Sequence, residues 1–243
     1  MKAWLHRLLR KLGWEVQRFR NSNCEARVLG DILRFTGADV VLDVGANIGQ
    51  FGDQLLSLGY GGSLVSFEAI PSVHEQLLEH ARRRSGSWRV APCAALGSRR
   101  GSIDINISEN VFSSSVLPMD AAHLSSAPQS KYVDRQTVPI ERLDELARTL
   151  VPSGGRVFIK IDTQGYELEV LKGATELLPQ TQGMQIELSL VQLYEGAPTF
   201  IEMIEYLKSL GFALFGIVPG FRDPHSGRLL QVDGFFTRAG SGS

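Results

Sequence analysis

Short, nearly continuous apolar runs alternate along this chain with stretches whose apolar residues recur every three or four positions, a pattern that predicts a β-α-β succession. Val40, Val41, Leu42 and Val44 form the first run, interrupted only by Asp43, and Leu64, Val65 and Phe67 form the second. Runs of this kind are expected of parallel strands buried on both faces. The pattern predicts strands near 40–44, 63–67, 88–92, 156–162 and 184–188, with helices near 24–35, 50–58, 72–84, 141–150, 167–178 and 199–210. The fold class that follows is α/β, a doubly wound and mostly parallel sheet. Two later runs, 213–218 and 232–237, flank PGFRDPHSGRLLQ, rich in turn formers, and read as an antiparallel hairpin.

Between 102 and 140 the rhythm changes. Ile103, Ile105 and Ile107 alternate with polar residues, a serine-rich segment follows, and a second extended stretch ends in Val138, Pro139 and Ile140. A partly antiparallel insertion over the ligand-bearing edge of the sheet is expected there. Ahead of the domain, Trp4, Leu5, Leu8, Leu9 and Leu12 recur at helical spacing, with Lys2, Arg7, Arg10 and Lys11 on other faces, so a basic amphipathic helix ending at Gly13 is predicted. This helix either packs on the domain or lies on an anionic membrane surface, where each basic residue contributes ~1 kcal/mol. Liposome sedimentation with and without residues 1–20 separates the two, and equal pelleting excludes the surface. The segment 1–23 is thus set apart from a single domain over 24–238, and 239–243 reads as a flexible tail.

Composition narrows the classes. With 43% apolar content over 243 residues the chain can bury one large core. Its net charge of −1 lacks the basic field of nucleic-acid binders. That charge is unevenly spread: residues 1–20 carry Lys2, Arg7, Arg10, Lys11, Arg18 and Arg20 against Glu15 alone. Cys24 and Cys93 have neither metal-ligand nor C-x-x-C spacing and read as reduced thiols. No apolar run approaches the ~18 residues that cross a bilayer, and no secretory signal pattern is visible, so a cytoplasmic location is expected, at the inner membrane face if the first helix binds lipid.

The candidate chemistry begins at VLDVGANIGQFG, residues 41–52, a strand entering a glycine turn and then a helix. Gly45 and Gly49 let the backbone turn sharply and approach a ligand closely. Glu68 ends the second strand about 20 residues later, where an acidic side chain accepts ribose hydroxyls. Position 47 is Asn, so the dinucleotide spacing G-x-G-x-x-G is absent. An acidic first strand, one wide glycine turn and an acidic second-strand end suit a cationic, phosphate-free nucleoside, S-adenosylmethionine, with Asp43 beside its positive end. Asp162 ends the strand VFIKID and is either a helix N-cap or a proton acceptor at the ligand-binding edge. Glu187 lies inside the apolar run QIEL, where an unpaired carboxylate costs several kcal/mol, and Lys160 on the preceding strand is its expected partner. That pair is structural, or Lys160 meets cofactor or acceptor with Glu187 as base. A divalent ion shared by Asp162 and Glu187 is a further reading, although no third ligand is recognisable and no metal residues are assigned. Ser113, Ser114 and Ser115 lack a nucleophile-elbow context and read as hydrogen-bonding or turn-capping groups. His74 and His80 are expected on a solvated helix face and His123 and His225 in loops. Tyr194, Glu195, Phe221 and Arg222 are candidates for an acceptor wall.

VLDVGANIGQFG, SFEAIPSVHEQL, CAALG, RLDEL and IKIDTQGYELEVLKGA occur in this order between about residues 24 and 238, and together they resemble the FkbM-type S-adenosylmethionine-dependent methyltransferases. The resemblance implies the class I methyltransferase fold, seven strands in the order 3-2-1-4-5-7-6 with the last hairpin antiparallel. It implies S-adenosylmethionine held by Asp43, Gly45, Ala46, Asn47, Gly49, Gln50, Phe51, Glu68, Ala69 and Ile70, with Ala94, Ala95 and Leu96 near the adenine. Asp162, Glu187 and Lys160 then serve O-methylation of a hydroxyl on a sugar, a lipid-linked glycan or glycolipid, or a secondary metabolite. One departure stands out: Gln164 occupies a position where the family usually has Glu. It motivates the alternative of a cofactor-binding scaffold without turnover. A nicotinamide-dependent oxidoreductase is disfavoured by the missing glycine and by the lack of a Tyr-x-x-x-Lys pair.

Overall fold

The computed structural model describes residues 3–13, 24–84 and 86–240. Of the basic N-terminal residues, Lys2, Arg18 and Arg20 lie outside these, as do tail residues 241–243. The first helix, α1 (Ala3–Lys11), leaves Trp4 and Leu12 61% and 66% exposed, with Leu8 and Arg7 exposed beside them. Among the described residues no helix is long and apolar enough to cross a membrane.

The domain follows as α2 (Glu25–Thr36), β1 (Val40–Val44), α3 (Gln50–Ser57), β2 (Ser63–Phe67), α4 (Pro71–Arg82) and β3 (Trp88–Val90). Next come β4 (Ala95–Leu96), β5 (Gly101–Ser108), α5 (Ala121–Ser126), β6 (Tyr132–Glu141) and α6 (Leu143–Leu150). The chain closes with β7 (Val157–Ile161), α7 (Glu167–Lys172), β8 (Thr181–Ser189), α8 (Phe200–Ser209), β9 (Phe212–Pro219) and β10 (Gln231–Arg238). The main sheet has the order β3-β2-β1-β7-β8-β10-β9. Counted among themselves its strands run 3-2-1-4-5-7-6, and β10 is antiparallel to both neighbours.

Strand alternation sorts the core into two layers. Val40, Leu42 and Val44 of β1, with Ile159 and Ile161 of β7, face Leu143 of α6, Val170 and Leu171 of α7, and Leu207 of α8. Val41 and Phe158 face the other way, against Leu29 and Ile32 of α2, Leu55 of α3 and Leu77 of α4. The same alternation puts Ser66, Asp43, Lys160, Gln185, Glu187 and Asp233 on this second face. A row of polar side chains therefore crosses an otherwise apolar sheet toward its carboxyl edge.

The insertion forms a separate sheet of order β4-β6-β5, with β5 and β6 antiparallel and β4 parallel to β6. Its apolar side, including Ile105, Val138 and Ile140, packs on Ile70 and Val73 at the start of α4. Several local expectations change. β3 stops at Val90, and Ala95–Leu96 leaves for the second sheet. α7 ends at Lys172, with a separate 3-10 turn at Leu178–Gln180. His74 is buried, its Nε2 2.8 Å from the Ala91 carbonyl, because helix phase places it beside Val73 and Leu77 rather than on the solvated face. His123 lies on α5 and not in a loop, buried edge-on against Tyr194 at 5.2 Å between ring centroids.

Candidate active site

At the carboxyl ends of β1, β2 and β7 the backbone opens a cleft. The Gly45 and Ala46 amides both donate to the Phe67 carbonyl, at 3.1 and 3.0 Å, while the Asp162 amide donates to Val44 O at 3.1 Å. Gly45 has φ +75°, and a Cβ there would lie 1.9 Å from Asp162 O, so only glycine lets β1 and β7 approach in this way. Gly49 (φ +100°) starts α3, and a Cβ on it would press on the Trp88 ring at 2.9 Å. Gly49 therefore serves helix packing, and it lines neither of the cavities described next.

The first cavity has a volume of about 130 Å³ and opens to solvent at its mouth. Gly45, Asn47, Glu68, Ala69, Ile70, Ala94, Ala95 and Leu96 line it together, and Ile105, Val111, Phe112 and Tyr166 add apolar wall. Among its described lining residues there is no lysine or arginine, and Glu68 and Asp162 are its acidic members. Such a lining opposes a pyrophosphate and fits a phosphate-free nucleoside carrying positive charge. Glu68 differs in detail from its expected role. Its Oε1 accepts from the Ala69 and Ile70 amides and its Oε2 from the Asn47 amide, each at 2.9 Å. Of the roughly four lone-pair sites of a carboxylate, only one, on Oε2, stays open for a ribose hydroxyl, where two were expected. Burial pushes this carboxyl above its ordinary range against the pull of the three N–H groups.

The second cavity adjoins the first, sharing Gly45, Asn47, Phe112 and Asp162, and has a volume of about 470 Å³. Ala46, Gln50 and Phe51 line this chamber rather than the first, together with Lys160, Gln185, Glu187, Asp233 and Glu25. Asp162 stands at the junction.

Asp43 does not reach either cavity. It is fully buried, with Oδ2 accepting from Ser66 Oγ at 3.1 Å and Oδ1 3.4 Å from Lys160 Nζ. Trp88 Nε1 donates in turn to Ser66 Oγ at 3.1 Å. Asp43 thus acts on the site through Lys160, not by touching a ligand. Lys160 also departs from expectation: its ammonium sits 3.4 Å from Asp162 Oδ2 and donates to the Gly45 carbonyl at 3.2 Å, and Glu187 is not its partner. The register explains this, since Lys160 pairs with Asp43 on one side and with Gln185 on the other, two residues short of Glu187. Burial alone would lower the Lys160 pKa, but the Asp162 and Asp43 carboxylates outweigh it and raise it. A lysine held as ammonium is a charge partner and cannot serve as a base.

Glu187 is instead held by amides. Gln164 Nε2 donates to Glu187 Oε2 and to Asp162 Oδ1, both at 2.8 Å, and Gln231 Nε2 donates to Glu187 Oε2 at 2.7 Å. Burial, then the negative charges of Asp162, Glu167 and Asp233, raise the Glu187 carboxyl well above its ordinary value. The amide of Gln164 fills the place between the two carboxylates where a shared divalent ion would sit. Among the described residues no group of three or more His, Cys, Asp or Glu side chains could hold a metal ion.

Gln164 itself is left-handed, φ 54°, a costly geometry outside glycine that the surroundings fix. Its Oε1 accepts from Tyr194 Oη at 2.6 Å and its carbonyl from Ser115 Oγ at 2.6 Å. Glu167 Oε1 ties the same turn through the Thr163 and Gly165 amides at 2.9 and 3.1 Å, and burial brings its pKa to about 7. Tyr194, expected on an acceptor wall, is buried beneath Gly165. Glu195, Phe221, Arg222 and His225 line neither cavity. Ser114 and Ser115 line the first cavity, so the serine-rich segment closes over it and is pinned to the Asp162 turn.

The sequence reading missed Glu25, Gln185 and Asp233 in the chamber. The signal was present, as single polar residues at alternate positions of MQIEL and of QVDGFF.

Residues 43–214 match the family model described as the methyltransferase FkbM domain. The chain is similar to the hexuronic acid methyltransferase AglP of Haloferax volcanii, 28% identical over 176 residues that cover 72% of this chain and 66% of that protein, so it spans just under two thirds of the relative's length. Among solved structures, the mitomycin 7-O-methyltransferase MmcR is 14% identical with a TM-score of 0.46, covering 88% of this chain and 53% of that one. The magnesium protoporphyrin IX methyltransferase of Synechocystis with bound SAM is 9% identical with a TM-score of 0.47, covering 98% and 92%.

Proposed function

The chain belongs to the FkbM methyltransferase family, and from that premise we propose that it is an S-adenosylmethionine-dependent O-methyltransferase acting on a sugar-type hydroxyl. The observation that carries this reading is the pair of adjoining cavities that meet at Asp162, one with no lysine or arginine among its described lining residues, the other open and polar. The residues present fit the cofactor: Glu68 Oε2 keeps one acceptor site for a ribose hydroxyl, Ala94, Ala95 and Leu96 with Ile105 offer an apolar slot for the base, and Asp162 lies where positive charge would reside. When bound, S-adenosylmethionine supplies a methyl group already activated on a sulfonium.

The remaining work is alignment and proton removal. An acceptor hydroxyl in the second chamber would reach the junction, where Asp162 would take its proton during transfer of the cofactor's methyl group, whose leaving group is the sulfonium sulfur. Lys160 balances the Asp162 charge and fixes the Gly45 carbonyl, so it is a positioning residue. Glu187, held by two amides and biased toward its protonated form, orients the acceptor. Gln164 braces both carboxylates and leaves Asp162 in place, which removes the motive for a scaffold without turnover.

The test is calorimetric titration with S-adenosylhomocysteine beside NAD, followed by labelled methyl transfer to a panel of glycosides. Micromolar binding of the first ligand alone, with label appearing as a methyl ether, is expected. Failure of a folded sample to bind S-adenosylhomocysteine, or tight binding of NAD, would overturn the assignment.

A further inference from the structure

The far wall of the second chamber is built almost entirely of hydrogen-bond acceptors. Glu25 at the start of α2 and Asp233 on β10 line it, beyond Asp162 and Glu187. Lys160, the cation among its described lining residues, is committed to Asp43, Asp162 and the Gly45 carbonyl. Between Glu25 and Asp233 stands Gln185, only 2% exposed. Its Nε2 donates to Glu25 Oε1 at 2.7 Å and to Asp233 Oδ1 at 3.3 Å, which fixes the amide's orientation. Its Oε1 has no hydrogen-bond partner among the described residues. A buried carbonyl oxygen left so costs ~1–3 kcal/mol, and a donor entering the chamber would recover it.

The positive charge of the cofactor does not account for this wall. Lys160 is in register with Asp43 and Gln185 with Lys160, so with ~4.8 Å between strands the Gln185 wall lies about 10 Å from β1, and β10 one strand further. A ligand seated on the β1 turn has its charge answered by Asp162.

Resting on the methyltransferase reading above, we infer that Glu25, Gln185 and Asp233 form an ammonium site and that the acceptor is a polyol bearing a protonated amine. An alkylammonium presents three N–H donors, and this wall offers two carboxylates and the free Gln185 oxygen. Burial, then the charges of Glu25 and Asp162, hold the Asp233 carboxyl at about 7, so an entering cation would discharge its proton and gain a full ion pair. A uronate would meet the opposite environment, its carboxylate facing Glu25 and Asp162 with the local lysine already paired; like charges so juxtaposed cost several kcal/mol. In this respect the chamber does not suit the substrate in the name of the 28% identical relative.

The experiment compares kcat/KM for labelled methyl transfer to methyl glycosides of glucosamine, N-acetylglucosamine, glucose and glucuronate, in the wild-type protein and in Glu25→Gln and Asp233→Asn. The amine-bearing glycoside is expected to exceed the glucose and N-acetyl compounds by ~10-fold or more, with the glucuronate poorest. Each variant should shrink the amine-to-glucose ratio toward unity while S-adenosylhomocysteine binding stays within a few-fold. Equal ratios, preference for the glucuronate, or no transfer to the amine would overturn the inference, as would variants that lose S-adenosylhomocysteine binding, since the wall would then serve the cofactor. Transfer to glucose or glucuronate alone would do so while leaving the methyltransferase reading intact.

Discussion

The cavity over the ends of β1 and β2 has a base fixed by backbone contacts and a largely apolar wall, whereas the chamber over β7, β8 and β10 is shaped by polar side chains. In the first, three amides saturate most of Glu68, and Gly45 allows the Asp162 carbonyl to come close. In the second, Glu25, Asp162, Glu187, Asp233 and Gln185 project from four separate segments of the chain, Gln185 and Glu187 sharing β8. A backbone site tolerates little change and suits a ligand that does not vary. A side-chain site can be retuned residue by residue without disturbing the fold, as a variable acceptor demands.

The sharpest way to break this contrast is Gly45→Ala. The added Cβ meets Asp162 O at 1.9 Å and the left-handed backbone costs a further ~1–2 kcal/mol, so the β1 and β7 ends must part. We expect S-adenosylhomocysteine affinity to fall about 100-fold or more by calorimetry, in a protein that circular dichroism shows to be folded. Affinity kept within tenfold would mean that the turn is not a backbone-built site. Asp162→Asn should act differently, lowering kcat by ~10²–10⁴ while cofactor affinity changes only a few-fold. Normal turnover in that variant would remove the proton-acceptor role. The smallest effect concerns stability. Burial, followed by the charges of Glu25 and Asp162, raises Asp233 from 3.8 to about 7 against the Gln185 hydrogen bond and the Lys160 charge. The folded protein keeps this proton to higher pH than the unfolded chain does. The resulting stabilisation is fully present below pH 3.8 and is lost as pH rises to about 7. Asp233→Asn removes the titration, so its Tm should gain a few degrees on the wild type between pH 4 and 7, and parallel Tm profiles would contradict the assignment.

These two regions also differ in how much of them could be read from sequence. Every strand of the main sheet was visible: the buried parallel strands leave short apolar runs near glycine turns, and β9 and β10 flank a stretch rich in turn formers. The first cavity was legible for a related reason: Gly45, Asn47, Glu68, Ala69 and Ile70, which line it together, lie in two short contiguous segments at a spacing set by one β-α-β unit. What a local reading could not show was that Glu68 is largely consumed by its own neighbourhood. The chamber was half seen. Asp162 and Glu187 stood out as charges in apolar strands, but Glu25 and Asp233 lie at opposite ends of the domain sequence and meet only through the reversal of β10. The expected Lys160–Glu187 pair failed on register, which adjacency in sequence does not encode. His74 failed on helix phase, with a fully apolar side chain on each flank of its turn giving the only hint.

The Asp43–Lys160 pair at the heart of the sheet has a consequence for the history of such chains. Removing Lys160 strands the buried Asp43 charge at ~3–5 kcal/mol, a large part of the ~5–15 kcal/mol that holds a domain folded. Lys160 therefore cannot drift while Asp43 stays. Descendants of this sequence that inherit Asp43 inherit Lys160 with it, and the alignment of the catalytic edge travels through generations with them.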